Sequence, residues 1–292
     1  MVGNPGATKT GELSIRPNTI ESLSYCIHMI PKPGHDQKKG DIFMSQDVRY
    51  RQRYLDLIVN NPVRKIFTTR NLIIDFLRNF LRERDFIEVE TPMMNMIAGG
   101  ASARPFETFH HDLGMDLYMR VAPELYLKKL IVGGLDRVFE IGKNFRNESI
   151  DMTHNPEFTA CEFYWAYADF EDLMKMTEEL LSSMVLKIMG SYKFKYHPRN
   201  DPEDMDKECE IDFTPPFRRM KLMEDLQEAL GVELPPATEL DKPEAREFFD
   251  KLCVDKKVDC GEPRSTARLI DKLVGEYLES QCMSPCFITE TP

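Results

Sequence analysis

With 292 residues, 42% of them hydrophobic and 30% charged, the chain can bury a full core, is too apolar to stay disordered, and suits about two domains. A net charge of −11 argues against a broad basic face for nucleic acid, so any polynucleotide would have to meet a local patch. No run approaches the roughly 18 apolar residues of a membrane span, and "MVGNPGATKTGELS" has neither the basic nor the apolar region of a secretory signal, which excludes a membrane partner and makes a cytoplasmic location the expectation.

Residues 1–34 are short alternating segments broken by Gly3, Pro5, Gly6, Gly11, Pro17, Pro31 and Pro33, the pattern of the end of a β-domain followed by a linker. From Val63 to Arg84, apolar side chains at Ile66, Phe67, Ile73, Ile74, Leu77, Phe80 and Leu81 fall at helical spacing and predict a long amphipathic helix. It feeds "DFIEVETPMM" (85–94), where apolar and acidic residues alternate, as in a strand, until Pro92. Strands are predicted over 115–121 and 137–145 around a short helical "PELYLKKLIVGG", and "ACEFYWAYA" (160–168) again reads as extended. Strands joined by short turns predict an antiparallel sheet flanked by helices, hence an α+β fold. A second strong helix is predicted from Phe170 to Met189, with Asp169 as its N-cap. Beyond residue 200, "DPEDMDKECEID" is expected to be a solvated loop; a Pro-Pro strand region and helices near 220–230 and 265–279 follow, the last capped by Ser265. The domain division expected is 1–34, 35–199 and 200–292.

Cys253 and Cys260 followed by Cys282 and Cys286 are spaced poorly for a zinc ribbon, so reduced thiols and no metal centre are expected. "GATKT" lacks the glycine that should precede Lys9 in a phosphate-binding loop, His110-His111 has no partner at ligand spacing, and the sequon Asn147-Glu148-Ser149 has no meaning in a cytosolic chain.

One stretch holds a different set. "FRNESIDMTHNPEF" (145–158) combines what binding a nucleotide without a phosphate loop needs: a cation for the phosphates, a flat surface for the base and polar groups for its edge. Arg146 offers a planar fork of donors, Phe158 a π-face, Glu148 and Asn155 partners for a base edge, and His154 a partner for a terminal phosphate. Near it in sequence lie Glu124 in "APELY", Glu162 and Tyr164 in "CEFY", and the glycines of "AGGASARPF". Two carboxylates and a phenol near an arginine suit a zwitterionic ligand, the arginine taking its carboxylate and the glutamates its ammonium. Singly, each residue has a plainer role, such as a core aromatic or an ion pair of a glutamate with Lys128, Lys129 or Arg137.

"RDFIEVETPMM" resembles motif 1 of the class II aminoacyl-tRNA synthetases, and "RVFEIGKNFRNESIDMTHNPEF" resembles their motif 2. The variants "PELYLK", "GKNFRNE" and "HNPEFTACEFY" look like the lysyl-tRNA synthetases of eukaryotic type, over about the whole chain from Val2. The resemblance implies that Arg146 bridges the α-phosphate of ATP and the carboxylate of L-lysine, that Glu148 and Asn155 contact adenine while Phe158 stacks on it, and that His154 faces the γ-phosphate. It implies further that Glu124 and Glu162 hold ammonium groups of lysine, that Tyr164 lines the side-chain pocket, and that Gly100 and Ala101 close over it. Motif 1 with Pro92 implies a homodimer. Implied partners are L-lysine, ATP with Mg2+, and tRNA(Lys) for the full-length enzyme, with a multi-synthetase complex as a further candidate.

Motif 3, with its second ATP-binding arginine, is not found, and the acidic strand carrying the magnesium ligands is expected beyond Pro292. "VGNPGATKTGELSI" matches only the last strands of the family's OB-fold anticodon domain, and Ala98 stands where the family often has proline. The expectation is therefore a core truncated at both ends, weak or inactive by itself in ATP–pyrophosphate exchange. Alternatives are an aspartyl- or asparaginyl-tRNA synthetase relative, a ligase that lysylates proteins, and a non-catalytic interaction module.

Overall fold

The computed structural model describes residues 2–28, 30, 46–97, 99–151, 153–197 and 208–292. The chain divides into two compact units, Met1–Arg70 and Asn71–Pro292. The boundaries expected near residues 34 and 200 lie outside the described residues.

In the first unit, β1 (Val2–Ala7) and β2 (Leu13–Thr19) form an antiparallel hairpin. Its turn is closed by the Gly11 amide donating to the Thr8 carbonyl at 3.0 Å, with Gly11 at φ +83, so "GATKT" is hairpin and turn. Helices α1 (Gln46–Arg51) and α2 (Arg53–Val59) follow, and α3 spans Asn61–Arg82. The carboxylate of Asp56 is fully buried and accepts from Arg49 Nε (3.2 Å), Arg53 Nη1 (2.8 Å) and Asn60 Nδ2 (2.7 Å). Burial pushes this carboxyl up, but the Asn60 amide and the two arginines outweigh it and hold it below the usual range.

The second unit is built on a three-stranded sheet in the order β3-β7-β8, where β3 is Ile87–Glu88, β7 is Arg137–Phe145 and β8 is Glu157–Trp165. Antiparallel β7 and β8 pair along their whole length, from Arg137 opposite Trp165 to Phe145 opposite Glu157. Because side chains alternate, Phe139, Ile141, Cys161, Phe163 and Trp165 fall on one face. That face packs on Phe76, Leu77, Phe80 and Leu81 of α3 and on Met176 and Leu180 of α5 (Phe170–Met189). Phe139 and Leu81 are fully buried, each contributing about 1.5–3 kcal/mol. The opposite face is left for Glu140, Gly142, Asn144, Phe158, Ala160, Glu162 and Tyr164. A second sheet, β4-β6-β5 with β4 Met94–Asn95, β5 Glu107–His110 and β6 Met115–Met119, is antiparallel, and α4 (Glu124–Val132) links β6 to β7.

Beyond α5, β9 (Lys193–Tyr196) pairs antiparallel with β10 (Cys209–Asp212), while β11 (Arg218–Lys221) pairs parallel with β12 (Cys286–Thr289). Between β11 and β12 lie α6 (Leu222–Leu230), α7 (Pro243–Asp255) and α8 (Thr266–Tyr277), whose Leu226, Phe249, Leu269 and Leu273 are fully buried in a shared core.

The two strong helices fall where their periodicity predicts, and both expected caps form: Asp169 accepts from the Asp172 amide, Ser265 from the Arg268 amide. The structure differs from expectation at five points. The strands are not all antiparallel, since β3 pairs parallel with β7 and β11 parallel with β12. Only Ile87–Glu88 and Met94–Asn95 of the 85–95 region are strand, and β8 stops at Trp165 because the chain turns at Tyr167, φ +63. The end of the acidic run is β10, its Glu210 and Asp212 facing Lys195 and Lys193 across the ladder. Helix α7 was not predicted, although Pro243 in its first turn and Ala245, Phe249, Leu252 and Cys253 at helical spacing are readable signals; the dense charges between them dilute the stripe.

Candidate active site

All the residues singled out in the sequence belong to the second unit, and the β7–β8 ladder arranges most of them. Phe158 and Glu162 stand on one face of β8, four residues and about 13 Å apart. Between them the floor is kept low by Gly142 paired with Ala160. The surface thus has two ends.

At the first end, the Arg146 guanidinium carbon lies 5.1 Å from the centre of the Phe158 ring. Arg146 follows directly on β7, and its amide donates to the Pro156 carbonyl at 2.9 Å, which closes the base of the 147–155 loop. The Nε of Arg146 is buried with no hydrogen-bond acceptor among the described residues, a donor whose charge suits an anionic oxygen. Within the loop, Asp151 accepts from the Thr153 and His154 amides at 2.7 Å and faces His154 Nδ1 at 2.8 Å. The Thr153 amide and then the His154 ring hold its carboxyl well below the usual range. His154 itself is exposed, as are Glu148 and Asn155, and the His154 ring is engaged by Asp151.

At the second end, Tyr164 donates its hydroxyl to Glu162 at 3.0 Å. Glu124, in the first turn of α4, pairs with Lys128 at 2.5 Å, and Lys128 Nζ lies 5.8 Å from the centre of the Tyr164 ring. Burial raises the Glu162 carboxyl above its ordinary range; the Tyr164 hydroxyl and Lys128 oppose this, while Glu124 and Glu140 add to it. Burial, and then the neighbouring Glu162, push the Tyr164 phenol well up. The result is an acidic, partly buried cluster already touched by one ammonium group. Gly100 adopts φ +96, and a Cβ there would lie 3.3 Å from the Ala122 carbonyl and 3.6 Å from Cβ of Glu124, which puts it against the start of α4. Ala101 is exposed beside it, Pro92 is exposed, and Ala98 lies outside the described residues.

Of the plainer ion pairs weighed for the glutamates, Glu124–Lys128 forms; Arg137 instead stacks on Trp165 at 5.0 Å and donates to the Arg84 carbonyl. Sequence reasoning missed Arg120 and Glu140, a buried pair at 2.5 Å against the floor. Glu140 sharing a face with the fully buried Val138 in "RVFEIG" was the available signal, because a carboxylate in a buried row demands a cation. Among the described residues no cluster of three or more His, Cys, Asp or Glu is placed to hold a metal ion.

The sequence pattern of the family described as tRNA synthetases class II (D, K and N) matches residues 45–292. Lysine–tRNA ligase cla4 of Cladosporium cladosporioides is 50% identical over 297 aligned residues, which cover 100% of this chain and 48% of that protein. The probable cytoplasmic lysine–tRNA ligase of Encephalitozoon cuniculi is 48% identical, covering 100% of this chain and 56% of its own. The lysine–tRNA ligase of Aquifex aeolicus is 42% identical, covering 98% and 44%. The chain thus spans about half the length of the curated relatives it matches.

Proposed function

From the premise that the chain belongs to the class II tRNA synthetases (D, K and N), we propose that it forms the motif 1 and motif 2 part of a lysine–tRNA ligase, the part that holds lysine against the adenosine end of ATP. The observation that carries the lysine reading is the acidic cluster of Glu124, Glu162 and Tyr164 at one end of the floor, opposite the cationic and aromatic pair at the other. A carboxylate-rich pocket suits an ammonium-bearing amino acid and repels aspartate, and the relatives quoted above carry lysine in their names.

In this reading the adenine ring stacks on Phe158, with Glu148 and Asn155 turning in from solvent to its edge and His154 reaching the γ-phosphate. Arg146, held at the end of β7, bridges the lysine carboxylate and the α-phosphate. As the carboxylate oxygen attacks phosphorus in line and pyrophosphate leaves, Arg146 offsets the charge that accumulates between them. Glu124 and Glu162 orient the amino acid through its ammonium groups, Tyr164 walls the pocket, and Gly100 and Ala101 close it. The rate gain comes from positioning and electrostatics, without a covalent enzyme intermediate. Transfer to the 3′ end of tRNA(Lys), a homodimer built through motif 1 and Pro92, a multi-synthetase assembly and a cytoplasmic location belong to the same reading. ATP with Mg2+ is the nucleotide substrate; the ion's charge neutralises phosphate oxygens when bound.

Calorimetry of the chain with L-lysine, L-aspartate and a non-hydrolysable lysyl-adenylate analogue tests it. Binding of lysine and the analogue, weakened by Glu162→Gln, is expected. Preference for aspartate, or no binding of any of the three, would refute it.

A further inference from the structure

Arg120 lies against Glu140 and Gly142 on the floor of the site, and is only 2% exposed. Its Nε donates to the Lys143 carbonyl at 2.8 Å, and its Nη1 reaches Glu140 Oε1 at 2.5 Å and Thr91 Oγ1 at 3.0 Å. The Thr91 hydroxyl in turn donates to Glu140 Oε2 at 2.6 Å, so both oxygens of this 4% exposed carboxylate are engaged. The backbone of Arg120 is tied down as well: its amide donates to the Met93 carbonyl at 2.7 Å and its carbonyl accepts from the Phe145 amide at 2.9 Å. The guanidinium occupies the volume that a side chain at position 142 would need. A Cβ there would collide with Arg120 Nη2 and lie 3.2 Å from Glu140 Oε1.

The β7–β8 register sets Glu140 directly opposite Glu162, on the same face of the sheet. Two carboxylates so placed repel, and both stay ionised only where a countercharge attends one of them. The groups facing Glu162 are Tyr164 on its own strand, Glu140 on β7, and Glu124 and Lys128 on α4; Arg120 reaches Glu140. We propose that Arg120 is a positioning residue which, with Thr91, engages both oxygens of Glu140 and so leaves Glu162 as the strand carboxylate that receives the ligand's ammonium group. This deepens the lysine reading and rests on it for the ligand's identity alone. The division of charge between the two glutamates is a property of the chain with nothing bound.

A buried ion pair is by itself poor evidence of a stabilising role, because apolar replacements of equal volume are often as stable. The discriminating readout is therefore titration of Glu162. In the chain labelled with carbon-13 at glutamate, the Glu162 side-chain carboxyl resonance is identified by its loss in Glu162→Gln and followed against pH. Arg120→Gln is expected to raise its midpoint by about one pH unit, Glu140→Gln to lower it, and the double variant Arg120→Gln/Glu140→Gln to bring it back near the wild-type value. An unmoved midpoint in folded Arg120→Gln, or a double variant that stays displaced with it, overturns the proposal. If Arg120→Gln does not fold, Glu140→Gln decides: a lower midpoint supports the proposal and an unchanged one overturns it. Lysine calorimetry on the same proteins keeps the two claims apart. Loss of about tenfold in affinity below the displaced midpoint, recovered at higher pH, is expected of Arg120→Gln. A loss equal at every pH counts against the proposal, and a wild-type chain that binds no lysine refutes the lysine reading while the carboxyl titration still decides the role of Arg120.

Discussion

Glu162 shows how one side chain's surroundings set what it can bind. Its carboxyl is raised first by burial and then by Glu124 and Glu140, so it takes up a proton at a higher pH than an ordinary glutamate. Because the raised form is the ionised one's disadvantage, Glu162 favours folding below the unfolded-state pKa, and that contribution is lost as pH rises through the folded pKa. Binding of a cation runs the other way and needs the ionised form. Lysine affinity is therefore expected to climb as pH rises through the raised folded-state value, and calorimetry of Glu162→Gln should show a weaker and flatter profile. Asp56 is the reverse case: its folded pKa is depressed, so its contribution is present above the unfolded value and lost as pH falls through the folded one. Asp56→Ala would leave Arg49 and Arg53 without that carboxylate and is expected to cost about 3 kcal/mol in a urea titration. Gly142 carries no charge, yet Gly142→Ala should cost about 1–3 kcal/mol, since its methyl would displace the pinned Arg120; a drop in urea midpoint with an unchanged slope would record it.

Among the elements, β7 and β8 are the most economical, because alternation sends Phe139, Ile141 and Phe163 into the core and Glu140, Phe158 and Glu162 onto the floor from the same two strands. Helix α5 is anchored differently. Asp169 and Asp172 exchange side-chain and amide hydrogen bonds at its N-terminus, and Gly190 at φ +78 ends it. Asp169→Ala is expected to cost about 1 kcal/mol and to speed amide exchange in the first turn ahead of the rest of the helix. Such features are local, which explains what could be read directly: the cap, the helical period of α3 and α5, and β7 over its full length. Arg146 and Phe158 were legible too, as members of one short stretch. The Arg120–Glu140 pair was not, since it joins different strands through a fold that no local period describes. The parallel pairings of β3 with β7 and β11 with β12 escaped for the same reason. His154, Glu148 and Asn155 were legible as residue types, but not their exposure in the loop that follows β7.

At the scale of the whole molecule, the described residues of the second unit form two apolar clusters, one under the β3-β7-β8 sheet and one among α6, α7 and α8. Trp165, the chain's single tryptophan, belongs to the first, and the fully buried Cys253 to the second. Leu273→Ala removes a fully buried side chain from the helical cluster and is expected to cost about 2–5 kcal/mol. A thiol reagent should then reach Cys253 at lower urea than the concentration that shifts Trp165 fluorescence. The β11–β12 pairing has a kinetic consequence of its own. Its partners, Arg218 and Cys286, meet only after everything between them has been gathered in, so the loop entropy is spent before a single ladder bond repays it. This short ladder should close late in folding, once the three helices have brought its ends within reach, and the amides of Cys286–Thr289 should be among the last of the unit to gain protection after dilution from denaturant.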